Sequence, residues 1–278
     1  MYTLVKIELY KIFRKWRTSI GFAAIGVLVP VIQIAMYFQG EHYLQFITRN
    51  FSDNFVFVGN LLNGYLIAYF ILGSLTIHIP FLIALVAGDL LAGEATAGTY
   101  RMLITRPVSR IKLVSAKFIA GLIYTNLLVL WLAVISLGVG IMIFGIGELI
   151  VFKDAIIIFA QNDILWRFAF AYAFAALSMS VVCSLGFLFS SLVENAIGPI
   201  VTTMTVIIIF TIFSAINIDF FRTIKPYLFT NYLSTWHLVF DDPVNYDEII
   251  KNCLVLTGHI LGFFGITLFL FKRKDILT

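Results

Sequence analysis

Few groups on this chain could do acid–base, nucleophilic or metal chemistry, and most stand where such chemistry is hard to run. Its 278 residues include four histidines, two cysteines and fifteen acidic residues. His78 falls near the middle of an apolar run, two residues before Pro80. An ionisable group so placed is a candidate for a proton or substrate pathway. The simpler assignment is a neutral imidazole bonded to a backbone carbonyl that the proline has freed. Gln33, Asn126, Thr202, Thr203 and Thr205 could line a pathway, or bond onto their own or neighbouring helices. His42, His237 and His259 have no metal-like spacing with one another or with Cys183 and Cys253, so no metal site is expected. No catalytic dyad or triad emerges, and the one acidic cluster, Asp241, Asp242, Asp247 and Glu248, has the composition of a solvated loop. The string G-x-x-x-x-G-K-[ST], which cradles nucleotide phosphates, does not occur.

One polar strip stands apart. Residues 93–110 read GEATAGTYRMLITRPVSR and lie between two of the most apolar runs. Ala, Leu, Glu, Met and Arg favour a short helix there, weakened at Gly98 and Thr99, since glycine costs roughly 1 kcal/mol relative to alanine. Glu94 and Arg101 are seven residues apart and would point the same way. Met102 and Leu103 offer an apolar patch, and Pro107 stops the helix. The expected object is a stubby helix with a hairpin, able to dock into something beyond the apolar body.

That body is a membrane domain by composition. Hydrophobic residues make up 61% of the chain and charged residues 12%, against roughly 25% charged in a soluble domain. Crossing the hydrocarbon takes about 20 apolar residues. Six segments qualify: 18–38, 65–91, 118–145, 168–191, 198–218 and 252–271. A five-span reading, with the fourth and fifth segments merged, would put the termini on opposite sides. The first segment exceeds the length of a secretory signal and offers no convincing small-residue cleavage site, so it reads as a retained helix.

Orientation follows from Lys and Arg. With six spans, both termini and the 92–117 loop share a side that holds 13 of the 19 basic residues, while the other side holds ten of the fifteen acidic ones. The basic side is therefore expected to be cytoplasmic, in the plasma (inner) membrane. The net charge of +4 is a topology signal; nothing resembles a nucleic-acid surface. In residues 1–17, Tyr2, Val5, Leu9, Ile12, Phe13 and Trp16 recur at helical spacing with basic residues between them, the pattern of a helix lying at the lipid boundary. The 39–64 and 146–167 segments read as polar loops. The aromatic-rich 219–248 segment is expected to lie on, or dip into, the opposite leaflet.

Glu94, Gly98-Thr99, Met102-Leu103, Pro107-Val108-Ser109-Arg110 and Lys117, in that order, resemble the type-2 ABC exporter permeases (ABC-2, type V). The resemblance extends over the whole chain and implies an all-α polytopic fold. Its parts would be an elbow helix (1–17), six spans, a coupling helix (92–110) between the second and third, and a re-entrant segment (219–248) between the fifth and sixth. It further implies a separate ATPase subunit carrying ATP and Mg, and a second permease copy or related permease. No cofactor is expected on this chain. Glu94 and Arg101 would be polar contacts, with the ATPase or with each other, and Arg106 and Arg110 would anchor the hairpin at headgroups. A membrane-embedded enzyme acting on lipid-linked substrates, or an ion-coupled transporter, would need clustered His, Asp or Glu at a membrane face, or charges at midplane.

Overall fold

The computed structural model describes residues 1–49, 61–98, 108–153, 156–216 and 218–273. Six helices among them are long and apolar enough to cross a membrane, and the only described sheet is one two-stranded hairpin. The chain is an all-α polytopic membrane protein.

Helix α1 (Tyr2–Arg14) turns sharply at Lys15 into α2 (Trp16–Thr48), the first span. The Thr18 hydroxyl closes that corner by donating to the Ile12 carbonyl. The second span is α3 (Gly64–Ala87), continued after a break at Gly88 by the short α4 (Asp89–Thr96). Asn63 starts α3: its Oδ1 accepts from the Tyr65 and Leu66 amides at 3.1 Å, satisfying donors that no helical carbonyl reaches. The third span is α5 (Arg110–Ala133), which passes through a π-helical stretch, Val134–Val139, into α6 (Gly140–Phe144). Strands β1 (Leu149–Phe152) and β2 (Ile156–Phe159) pair antiparallel, with Leu149 opposite Phe159. Then come α7 (Gln161–Leu192), α8 (Ile197–Ala215), the short α9 (Asp219–Ile224), a series of 3-10 turns, and α10 (Tyr246–Arg273).

Helix α7 is the axis of the bundle. Some 72% of its most apolar window is buried, against 22% for α2, 22% for α8 and 17% for α10. The latter three therefore present most of their apolar surface outward, to lipid or to another chain. Stacking of Phe118 on Phe264, with centroids 4.2 Å apart, ties α5 to α10.

Two segments expected as polar loops are partly ordered elements. Helix α2 runs on to Thr48, because 39–48 holds no proline and a single glycine. The β-branched runs LIVF and IIIF form the hairpin, whose first strand is largely buried. In the aromatic segment, Phe229, Tyr232, Trp236 and Phe240 are buried within the protein, while Tyr227 is 77% exposed. Between Phe229 and Phe240, packing within the protein accounts for the aromatic content. Arg167 of α7 holds it in place, donating through Nη1 to the Val239 carbonyl at 2.6 Å and stacking its guanidinium over Phe159 at 4.2 Å. Lys153 of the hairpin donates to the His237 carbonyl at 2.9 Å and pairs with Asp241.

Candidate functional site

The site lies at the end of the bundle where α1, α4, the start of α5 and the end of α7 meet. Helix α4 owes its separate existence to Gly88. A Cβ there would sit 2.8 Å from the Ile200 side chain and 3.1 Å from the Ile200 backbone nitrogen, so only glycine lets α8 approach this closely. The first amides of α4 also find a partner outside their own helix. Ser190, reaching across from α7, is that partner: its Oγ accepts from Leu91 N at 3.0 Å and Ala92 N at 2.9 Å, and donates to the Gly88 carbonyl at 2.6 Å. One hydroxyl from another helix thus caps α4 and bridges its break. Farther along, Thr96 Oγ1 donates to the Glu194 carbonyl at 2.7 Å. Helix α4 ends through Gly98, whose φ of +65° is left-handed and favours glycine. The helix expected to run through Gly98 therefore stops before it.

Around α4 the charges interlock. Glu8 and Lys11 project from α1, Glu94 from α4 and Lys117 from α5. Lys117 Nζ lies 2.7 Å from Glu8 and 2.7 Å from Glu94; Lys11 Nζ lies 2.8 Å from Glu8 and 3.0 Å from Glu94. Lys117 is 1% exposed, Glu8 4% and Glu94 8%. Two carboxylates and two ammonium groups balance, which is what allows such charges to be buried at all. Burial opposes ionisation of Glu8, but Lys117 and Lys11 outweigh it and hold the carboxyl below its ordinary value of 4.5. Burial likewise opposes the charge on Lys11, and Glu8 and Glu94 prevail, raising it above 10.5. A second group lies beside the first: Lys15 Nζ and Arg17 Nη1 meet the two oxygens of Asp89 at 2.6 and 2.8 Å.

Glu94 is thus a buried member of a joint within this chain, and Gly98 a helix terminator. Arg110 is the first residue of α5, exposed, just after the Ser109 cap. Thr99, Arg101, Met102, Leu103 and Pro107, with Arg106, lie outside the described residues. The pathway candidates do not converge. Gln33 is fully buried, and its Nε2 donates at 3.1 Å to the carbonyls of Ile135 and Ser136, where the π-helical stretch departs from the regular ladder. Asn126 donates to the Leu122 carbonyl at 2.7 Å on an exposed face, and Thr202 is also exposed. His78 is exposed, with Nδ1 3.0 Å from the Ser74 carbonyl. That carbonyl is not the one freed by Pro80, which belongs to Thr76, four residues before the proline. Among the described residues no group of His, Cys, Asp and Glu could hold a metal. Both cysteines are free.

Ser190 gave no sequence signal, because a serine inside a span is ordinary. Glu8 did give one: it is the single acidic residue of 1–17, three before Lys11. The apolar stripe of α1 does not face one environment. Ile12 turns inward beside Glu8, while Tyr2 and Phe13, and Trp16 at the start of α2, remain exposed.

Six apolar spans among the described residues, with a terminal helix locked against them by ion pairs, define a polytopic membrane protein. The family model for "ABC-2 family transporter protein" matches residues 2–276, and the chain belongs to that family. A curated relative is "Uncharacterized protein YhcI" of Bacillus subtilis (strain 168), 23% identical over 198 residues. The match covers 69% of this chain and 63% of that protein, so it spans less than two thirds of the relative's length.

Proposed function

We propose that this chain is the membrane-spanning permease subunit of an ATP-driven exporter in the plasma (inner) membrane, working with a separate ATPase and a second permease. The observation that carries this reading is the joint itself. Helix α1, the foot α4 and the base of the third span share one buried four-charge cluster, and Ser190 ties the same foot to the central helix α7. A push on α4 from below would move three elements together, because charges buried this deeply resist separation.

ATP and Mg would be held by the partner, which supplies the hydrolysis. This chain contributes stiffness at the joint, a glycine break that lets α4 tilt against α3, and α7 as the rod along which the displacement reaches the opposite end. Both termini and the foot would face the cytoplasm, following the basic bias. Residues 99–107, just past the foot, supply the rest of the docking surface in this reading, with Arg101, Met102 and Leu103 as its contacts and Thr99 and Pro107 setting its shape. Cargo would pass between two permease copies.

The test is purification of the tagged chain in mild detergent from cells expressing its genomic neighbours. The expected result is co-elution of an ATPase with a phosphate-loop motif, and stimulation of its hydrolysis by the permease. An ATPase that never binds, under conditions where the permease is monodisperse, overturns the reading.

A further inference from the structure

Beside the joint, the corner between α1 and α2 and the outer flank of α4 enclose a cleft of about 410 Å³, lined by Lys15, Trp16, Arg17, Asp89, Thr96 and Ala97 among others. We propose that this cleft seats the phosphate headgroup of an anionic phospholipid, with its acyl chain lying along the exposed face of α2. The inference does not depend on the exporter reading.

Charge is the first argument. Lys15 and Arg17 against Asp89 leave one net positive charge at the cleft. Among the described residues Asp89 accepts from both cations, and lysine and arginine carry more N–H donors than that single carboxylate uses. Both side chains stay half open, 46% and 45% exposed, so Asp89 aims them without consuming them. Held in this way, the pair loses little side-chain freedom when an anion arrives. Glu194, whose carbonyl accepts from Thr96, is the nearby acidic residue, and its exposed carboxylate is screened by water.

Shape is the second argument, and it selects a lipid over free phosphate. Trp16, 80% exposed, stands at the cleft, the place where an amphipathic ring meets the glycerol level of a bilayer. From it an apolar strip climbs one face of α2: Ile20, Val27, Val31 and Ile34 are all exposed, and their spacing from Trp16 keeps them within a narrow arc of the helix. A cationic cleft continuous with an apolar strip matches a phospholipid, headgroup below and chain above. Soluble phosphate would use the cleft and leave the strip without a role.

The test is native mass spectrometry of the whole protein in nonionic detergent, titrated with phosphatidylglycerol or with phosphatidylcholine of the same chains. Phosphatidylglycerol is expected to occupy the protein at lower concentration. Lys15→Gln and Arg17→Gln should each raise its half-saturation about fivefold, the worth of one basic residue at an anionic headgroup. Phosphatidylcholine binding should not move. Arg17→Lys should keep the preference, and so should Lys6→Gln, which removes an exposed charge from the neighbouring α1 outside the cleft. Equal binding of the two lipids by the unmodified protein overturns the proposal without recourse to any variant. So does phosphatidylglycerol binding left unchanged by both glutamine variants. Displacement of phosphatidylglycerol by millimolar inorganic phosphate would make free phosphate the ligand and overturn the lipid assignment.

Discussion

Glu94 was picked out by sequence, and within the described residues it stands in a buried ion-pair cluster. Its spacing suggested a contact with an ATPase or with Arg101; its described partners are Lys11 and Lys117. Removing one member of a buried ion pair leaves the others uncompensated, at about 3–5 kcal/mol. Glu94→Ala should therefore lower stability by about 3 kcal/mol, because Lys117 retains Glu8. Replacing Glu94 and Lys117 together by methionine should recover part of that loss, since well-packed apolar residues often substitute for buried pairs. Thermal unfolding in detergent checks both. If the double variant is stable and ATPase-coupled transport is still lost, the charges serve coupling as well as folding.

At the other end, burial beside Lys153 lowers the His237 imidazole to about 4, from an ordinary 6.5. The ring is then neutral at pH 7, with Nδ1 in a 3.2 Å hydrogen bond with the Tyr69 hydroxyl. Because the unfolded state takes up the proton first, stability should fall as pH drops from 6.5 towards about 4. His237→Gln should flatten that limb of a stability–pH profile, leaving the limb below 4.5 to which Glu8 contributes. An unchanged limb between 6.5 and 4 would remove the role given to His237.

Among elements, α4 is the one whose boundaries were hardest to anticipate. Nothing local distinguishes Gly88 from a glycine tolerated inside a long helix; the close approach of Ile200 makes it a break. Ser190→Ala removes a donor and a shared acceptor at once, and should cost about 1–3 kcal/mol, the price of unmet buried polar groups. Gly98 behaves otherwise. A Cβ there would meet no described atom within 4 Å, so Gly98→Val carries only the backbone cost of its left-handed conformation, roughly 1–2 kcal/mol. Both variants should insert normally. The reading of α4 as a transmitting foot expects Ser190→Ala to reduce transport per ATP hydrolysed more than Gly98→Val does, and fails if the two are indistinguishable from wild type.

For the whole molecule, the proposed orientation would set the joint in the cytoplasm. With the endogenous cysteines replaced, Thr3→Cys should react with an impermeant maleimide only after cells are opened. Tyr246→Cys, 62% exposed at the start of α10, should react in intact cells. The reverse pattern would place the foot outside and end the case for a cytosolic motor.

How much could be read beforehand follows from the range of the forces involved. Composition and apolar run length determined the all-α polytopic class by themselves, because a bilayer demands internally bonded backbone and about 20 apolar residues per crossing. The bias of 13 basic residues to one side is equally local. Tertiary structure alone decided that Glu8, Lys11, Glu94 and Lys117 form one cluster, that Ser190 caps a helix 99 residues away at Leu91, and that the aromatics of 229–240 fill protein instead of facing lipid. Each of these depends on which helix stands beside which. Within a membrane that choice turns on close packing and a few polar contacts rather than on hydrophobic periodicity, since lipid and protein interior are alike to an apolar side chain.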